Sequence, residues 1–212
     1  MSRFFRIAAL VLVFCFALLP MAQAKPLEEN CPLTLTAPSA LLMEANTGTV
    51  IFEKNALEKR PAASVTKLMT LLLAFERLQD GSLSMDNIVT VSPTAAKQTG
   101  SQAFLDAGAA YPLETLMKAT IIASANDAAV AIAELIAGTE AQFVQLMNEK
   151  AAAMQLQNTH YMNCTGLPAD GQYTCAADVG RIATALCAFP DYFKFSSIWM
   201  DNLTHPSGRV TD

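Results

Sequence analysis

The stretch Pro61-Ala62-Ala63-Ser64-Val65-Thr66-Lys67-Leu68-Met69-Thr70 places a serine and a lysine three residues apart at the start of a long apolar run. In an α-helix, residues i and i+3 are neighbours on one face, so the Lys67 ammonium is expected beside the Ser64 hydroxyl. Residues 68–78 are apolar around nearly the whole helical circumference, which is typical of a helix inside the core. We therefore predict a buried helix that begins at Ser64.

Burial of this helix has a chemical consequence for Lys67. A low-dielectric environment disfavours the charged form of lysine, and a neutral amine can accept the proton of a serine hydroxyl. The Ser64 backbone N–H, unpaired in the first turn, is placed to donate to an oxygen that becomes negative. The arrangement indicates an acyl-transferring serine enzyme with Ser64 as nucleophile and Lys67 as base. For an isolated S-x-x-K motif, the more frequent alternative is a capping serine and a lysine that extends to water.

A second motif, Ser124-Ala125-Asn126, falls between two apolar helical segments. It predicts a short polar turn inside a cleft, with Asn126 or Asp127 able to cap the second helix. Taken alone, the motif is most often an ordinary helix junction. Taken as a functional site, it provides a Ser124 hydroxyl that relays a proton near Lys67 and an Asn126 amide that holds a substrate carbonyl.

The remaining pattern predicts a mixture of short strands and helices. Two strands at 40–44 and 49–53 are joined by a tight turn at Asn46-Thr47-Gly48. Further predicted elements are strand-like pieces at 88–91 and 102–105 and helices at 64–78, 113–123, 127–136, 139–156 and 176–188, the last capped by Thr174 and ended by Pro190.

The N-terminus has the pattern of a secretory signal. Residues 1–24 combine Arg3 and Arg6, an apolar stretch at 7–19, and a small-x-small site at 22–24. We expect export, with a mature domain at 25–212. Without residues 1–24 the chain has 12 basic and 19 acidic residues, a formal charge of −7, since two of the 14 basic residues are removed. This acidic balance disfavours a nucleic-acid partner.

Four cysteines remain outside this signal, at positions 31, 164, 175 and 187. In an oxidising compartment they allow three complete pairings, of which Cys164 with Cys175 joins residues closest in sequence. The two histidines, His160 and His205, lie in no zinc-type motif. We expect neither a metal nor a cofactor. We expect both histidines to be structural or exposed.

The two motifs together closely resemble the D-alanyl-D-alanine carboxypeptidases, the low-molecular-mass penicillin-binding proteins of the serine β-lactamase-like superfamily. The resemblance also covers residues 100–108, 143–150, 158–160, 163–167 and 173–174. It implies an α+β fold of the β-lactamase/transpeptidase type, in which a helical cluster lies against an antiparallel sheet.

In that family the serine of the first motif is acylated by a peptidoglycan stem peptide ending in D-Ala-D-Ala, and water then releases the acyl group. The resemblance implies that Ser64 is the nucleophile and Lys67 its general base. It assigns proton relay to Ser124 and substrate positioning to Asn126. β-Lactams are expected to acylate Ser64 as substrate mimics.

One departure from the family concerns its third motif. Lys-Thr-Gly or Lys-Ser-Gly occurs nowhere in the 212 residues, and Ser207-Gly208 lacks the preceding lysine. We expect that the domain at 25–212 is C-terminally incomplete and lacks the last strands of the sheet. Members of the family frequently carry a C-terminal membrane anchor. The resemblance therefore leaves open whether a C-terminal segment attaches the protein to the outer face of the inner membrane.

Two other functions compete with a periplasmic carboxypeptidase. A class A-like β-lactamase shares both motifs, but no convincing Glu-x-x-Leu-Asn element follows Asn126. A non-catalytic peptidoglycan-binding relative would retain the scaffold without the third motif. Cleavage of crosslinks by an endopeptidase uses the same site and is not separated from carboxypeptidase activity by sequence.

Overall fold

The structure, a computed structural model, describes residues 34–211. The proposed signal at 1–24 and Cys31 lie outside these residues. The elements in chain order are β1 (Ala40–Met43), β2 (Val50–Lys54), a 3-10 turn (Ala63–Thr66), α1 (Lys67–Gln79), β3 (Ile88–Thr90), α2 (Pro93–Ala96), β4 (Ala110–Pro112), α3 (Leu113–Ile122), α4 (Asn126–Ala137), α5 (Glu140–Ala153), α6 (Ala176–Cys187), α7 (Pro190–Ser196), β5 (Leu203–Thr204) and β6 (Val210–Thr211).

The strands form three separate antiparallel pairs, β1 with β2, β3 with β4, and β5 with β6. The first pair is the predicted hairpin, with Ala40 opposite Lys54 and an irregularity between Leu42 and Met43. Helix α6 packs on β1. Gly180 permits this contact, because an added Cβ would lie 2.5 Å from the Leu41 side chain.

The predicted core helix is confirmed as α1, which packs against α4, α5 and α6. Its Met69, Leu72, Ala74 and Phe75 are almost fully buried. Helix α4 is covered still more completely, since every residue from its start through Ala133 is buried. Two buried helices therefore carry the two sequence motifs at their N-terminal ends.

Several local predictions were wrong. Residues 102–105 form a loop rather than a strand, because their backbone N–H groups bond to a side chain instead of a neighbouring strand. Ala125, with no side-chain cap bond, occupies the N-cap of α4 in place of Asn126 or Asp127. Cys175, not Thr174, caps α6.

Proline and serine positions also differ from the expectation. Pro190 begins α7 instead of merely ending α6, which suits its fixed φ at a first helical position. Ser64 lies in the 3-10 turn that precedes α1, not in the first α-helical turn. Ser64 is exposed in this turn.

Among residues 34–211, Cys164 and Cys175 are buried free thiols and Cys187 is an exposed one, so the pairing closest in sequence is not formed. Within the same residues, no single helix has the length and apolar character to cross a membrane, and only the bent pair Asn126–Ala137 and Glu140–Ala153 meets that test on length and composition.

Candidate active site

Ser64 is exposed, and the backbone just before it packs against another segment of the chain. The preceding Ala63 has a φ of 43°, a left-handed conformation that non-glycine residues seldom adopt. Close packing against Gly166 accompanies this conformation of Ala63. A Cβ at Gly166 would lie 1.8 Å from the Ala63 carbonyl oxygen and 2.9 Å from the Ser64 nitrogen. The peptide before Ser64 therefore rests directly on a glycine backbone from a distant loop.

Lys67 is buried, with 3% of its surface exposed, and contacts Ser64. Its Nζ lies 3.3 Å from the Ser64 Oγ and donates to the Thr165 carbonyl oxygen at 2.7 Å. Burial lowers the pKa of Lys67 to about 8, and the nearby Cys164 opposes this change. A substantial fraction of neutral amine is thus available near pH 8, as proton acceptance from a serine requires.

The segment 163–167, Asn-Cys-Thr-Gly-Leu, forms the back wall of this site. The Asn163 side-chain oxygen accepts from the backbone N–H of Thr165 and of Gly166, at 3.2 and 2.8 Å. Thr70, one turn along α1 from Lys67, donates through Oγ1 to the Cys164 carbonyl at 2.8 Å. The segment is consequently tied both to itself and to the helix that carries Lys67.

Asn126 is buried at the start of α4 and only half of its side-chain amide is bonded within the described residues. Its Nδ2 donates to the Thr99 carbonyl at 2.6 Å, and its backbone N–H donates to the Ser101 carbonyl at 2.7 Å. The Oδ1 is buried without a hydrogen-bond partner among residues 34–211. A buried acceptor of this kind is rare in folded proteins and indicates a contact to be made by another molecule or segment.

Ser124 has a φ of 55°, so a left-handed residue that is not glycine lies in the second motif as well as directly before Ser64, at Ala63. Such strained positions are concentrated at functional sites. Its side chain is half-buried. In the part of the chain that the structure describes, no side-chain hydrogen bond joins Ser124 to Lys67, so the relay role of Ser124 stays a prediction.

Asp127 organises the loop beside Asn126, a role that sequence reasoning missed. Its carboxylate is buried and accepts from the backbone N–H groups of Ala103 and Leu105 at 3.0 and 2.9 Å. The loop between them passes through Phe104, which has a φ of 58°. The available signal was an acidic residue between two apolar runs, since an isolated buried carboxylate requires partners.

His205 is buried and His160 is exposed. Tyr111 contacts His205 Nδ1 at 2.8 Å, and burial lowers the pKa of this histidine. The contact fastens the β5–β6 hairpin to β4, so its role is structural, in accord with expectation. Residues 34–211 contain no group of three His, Cys, Asp or Glu side chains arranged to hold a metal.

A cavity of about 660 Å³ lies between α3 and the segment 199–206. Gln102 and Ala123 line it beside the second motif, whereas Ser64 and Lys67 do not. Ser64 is exposed and lies outside this cavity. The candidate site is therefore defined by the contacts of Ser64 and Lys67 and not by this cavity.

The chain is similar to known proteins along most of its length. The D-alanyl-D-alanine carboxypeptidase family model matches residues 23–206. The D-alanyl-D-alanine carboxypeptidase DacF of Bacillus subtilis is 42% identical over 167 residues, which are 79% of this chain and 43% of that protein. The chain thus spans about half the length of the curated relatives it matches, with 48% for Escherichia coli DacA.

Two solved structures share the fold of this chain. The D-alanyl-D-alanine carboxypeptidase DacD from Francisella tularensis has a TM-score of 0.76 at 34% identity, over 86% of this chain and 43% of that one. Penicillin-binding protein 6B from Escherichia coli has a TM-score of 0.79 at 31% identity, over 88% of this chain and 60% of that one. The predicted α+β, β-lactamase/transpeptidase-like fold is confirmed. The chain belongs to the D-alanyl-D-alanine carboxypeptidase family.

Proposed function

We propose that the protein is a penicillin-binding serine D-Ala-D-Ala carboxypeptidase that removes the terminal D-alanine of peptidoglycan stem peptides. One observation carries the proposal. An exposed Ser64 hydroxyl lies 3.3 Å from the ammonium of a lysine that is 3% exposed. Family membership supports the substrate class, since the matching relatives are named D-alanyl-D-alanine carboxypeptidases.

In the proposed reaction, neutral Lys67 accepts the proton of Ser64 as Oγ attacks the carbonyl carbon of the penultimate D-alanine. The Ser64 N–H is one donor to the oxyanion. The C–N bond then breaks, the leaving D-alanine amine receives the proton, and an acyl-enzyme ester remains. Water hydrolyses this ester and regenerates the Ser64 hydroxyl. A β-lactam follows the same first step, but its leaving amine stays attached to the adduct.

Asn126 and Ser124 complete the proposed site. The Nδ2 of Asn126 uses one hydrogen for Thr99, so its second hydrogen remains for a substrate carbonyl, and the unpartnered Oδ1 suits a substrate N–H. Ser124 would relay the proton toward the leaving amine. We also propose that residues 1–24 direct export, so that the enzyme acts in the periplasm, with association to the inner membrane through a further C-terminal segment.

The test is the intact mass of the natural full-length protein before and after exposure to benzylpenicillin. We expect a stable penicilloyl adduct in the parent protein, none in Ser64→Ala, and an undiminished adduct in Ser82→Ala, a surface-loop control. Labelling that survives Ser64→Ala contradicts the assignment of the nucleophile.

The same experiment separates the alternatives. Rapid release of the adduct with steady hydrolysis of penicillin would indicate a class A-like β-lactamase. A folded protein that binds peptidoglycan but never forms an adduct would indicate the non-catalytic relative. Release of D-alanine from a stem peptide, compared with cleavage of a crosslinked dimer, distinguishes carboxypeptidase from endopeptidase activity.

A further inference from the structure

Glu140, the first residue of α5, contacts the back wall of the site at Cys164. Its Oε1 accepts from the Cys164 backbone N–H at 3.1 Å and from the Cys164 thiol at 3.3 Å. Cys164 is completely buried. Burial and the adjacent Glu140 raise the pKa of the thiol well above its usual value. The thiol is therefore protonated and able to donate to the carboxylate.

The position of Glu140 is itself well determined. The Thr139 hydroxyl caps α5 by accepting from the Gln142 N–H at 3.2 Å, which sets where the helix begins. A carboxylate in the first turn is also stabilised by the positive end of the helix dipole. Glu140 is thus an anchored acceptor rather than a mobile surface acid.

The opposite side of Cys164 is held by the helix that carries Lys67. The Cys164 carbonyl accepts from Thr70 Oγ1 at 2.8 Å, and the next carbonyl, that of Thr165, accepts from Lys67 at 2.7 Å. Residue 164 is therefore fastened between α1 and α5. The direction of the Thr165 carbonyl, and with it the placement of Lys67 Nζ, depends on both attachments.

We propose that Glu140 is a positioning residue, which keeps Lys67 directed at Ser64 by holding Cys164 in the back wall. The expected effect of Glu140 on the acylation rate rests on the proposed acyl-transfer function. The expected effect of Glu140 on the pKa of Lys67 rests on the contacts alone. Loss of the Glu140 acceptor frees the 163–167 segment, lets water reach Lys67 and relaxes the contact of Gly166 with the peptide before Ser64.

Two measurements on the natural full-length protein test this. One is the second-order rate constant of acylation by benzylpenicillin. The other is the titration midpoint of Lys67 by NMR with lysine labelled at Cε, in which the resonance absent from Lys67→Ala identifies the residue. The second readout does not require acylation, and a residue that contributes only stability would leave it unchanged.

We expect Glu140→Ala to slow acylation by about tenfold or more, because small misplacements of a catalytic group have effects of this order. The Lys67 midpoint should rise above about 8, because desolvation is the main cause of its low pKa. Glu140→Gln keeps an oxygen for the Cys164 N–H and should restore most of both values. Glu134→Ala is the matched control, since Glu134 accepts from Ser92 Oγ at 2.9 Å and anchors a different segment.

The proposal is overturned if folded Glu140→Ala retains both the parent rate and the parent Lys67 midpoint, or if Glu134→Ala changes them equally. If Glu140→Ala does not fold, Glu140→Asp decides by the same readouts, since its carboxylate is withdrawn by one methylene. If the parent protein takes no penicillin, the proposed function fails, and the Lys67 midpoint still decides the role of Glu140.

Discussion

The two motifs differ in how completely the described residues satisfy them. Lys67 has two partners, Ser64 in the turn that precedes its helix and Thr165 in the 163–167 segment, and that segment is bonded in turn to α1 and α5. Asn126 has its Nδ2 and backbone N–H bonded, yet its buried Oδ1 has no partner in residues 34–211. The polar groups of the first motif are supported by hydrogen bonds within the protein, whereas the second motif keeps one buried acceptor without a partner among residues 34–211.

This difference separates two kinds of functional group. A base must have its pKa adjusted in advance, so the protein surrounds it and removes water. A group that binds substrate must keep some hydrogen-bonding capacity for the ligand, and it tolerates an unsatisfied atom at a cost of about 1–3 kcal/mol. We therefore expect substitutions at the first motif to alter the chemical step and those at the second to alter the fit of the substrate.

The largest effect is expected for Lys67→Ala, which removes the proposed base. Acylation by benzylpenicillin should fall by about 10²- to 10⁴-fold, the range associated with general acid–base catalysis. Circular dichroism should show a folded protein, since the substitution takes a costly polar group out of the core. Lys150→Ala is the control, because Lys150 pairs with Glu76 away from the site. An unfolded Lys67→Ala protein would instead identify a structural lysine.

The next effect is expected for Gly166→Ala. The added methyl group would overlap the Ala63 carbonyl, and the φ of +88° is unfavourable for alanine. The peptide that orients the Ser64 N–H must shift, so acylation should fall by about a hundredfold. Gly208→Ala separates the two causes, because Gly208 has a similar φ of +84° but open space around it. Equal losses of acylation in both variants would argue against the contact with Ser64.

A smaller effect is expected for Asn126→Ala, and here pH makes the comparison sharper. In the parent protein, acylation should rise with pH through about 8, because the reactive form of Lys67 is the neutral amine. Asn126→Ala should lower the rate by about tenfold at every pH, since it removes a substrate contact. The midpoint of the pH profile should stay near 8. A midpoint that moves would show that Asn126 acts on Lys67 rather than on the substrate.

The sequence predicted those parts of the fold and site that depend on local pattern. The i, i+3 spacing and the continuous apolar run placed Lys67 beside Ser64 in a buried helix. The two short runs joined by the turn at Asn46-Thr47-Gly48 placed β1 and β2. The pattern did not reveal that Lys67 bonds to Thr165, or that Cys164 bonds to Thr70 and Glu140, because these contacts join residues between 24 and 98 positions apart. Only the folded chain brings such groups together.

The loop at 102–105 shows why a strand prediction failed beside a correct helix prediction. Its three consecutive apolar residues, at 103–105, favour a strand, but two of its backbone N–H groups bond to Asp127 instead of a neighbouring strand. A buried carboxylate of this kind competes with strand pairing for the same donors. The signal at Asp127 was assigned to helix capping, whereas the N-cap of α4 is Ala125.

The smallest effect is expected for Asp127→Asn, which tests whether this loop supports Asn126. The Oδ1 of Asp127 accepts from Ala103 and Ala128, and its Oδ2 accepts from Leu105. Asparagine has one oxygen and one NH₂ group in place of the two carboxylate oxygens. The NH₂ group therefore faces a backbone N–H, and neither of these donors has an acceptor. The free energy of unfolding, measured by urea denaturation, should fall by about 1–3 kcal/mol. Acylation should change only a few-fold, because no group of the first motif moves.

The matched control is Asp178→Asn on α6. Asp178 is also buried, but its Oδ2 alone accepts from the Asn158 N–H and the Thr159 hydroxyl, so one asparagine oxygen can serve both donors. The loss of stability should therefore be smaller than for Asp127→Asn, although both substitutions remove one buried charge. If the two variants lose the same stability, the effect is due to charge, and the 102–105 loop is not held by the geometry of the Asp127 carboxylate. If Asp127→Asn instead lowers acylation as far as Asn126→Ala, the loop and the amide act as one unit, and the second motif extends from Ala103 to Asp127.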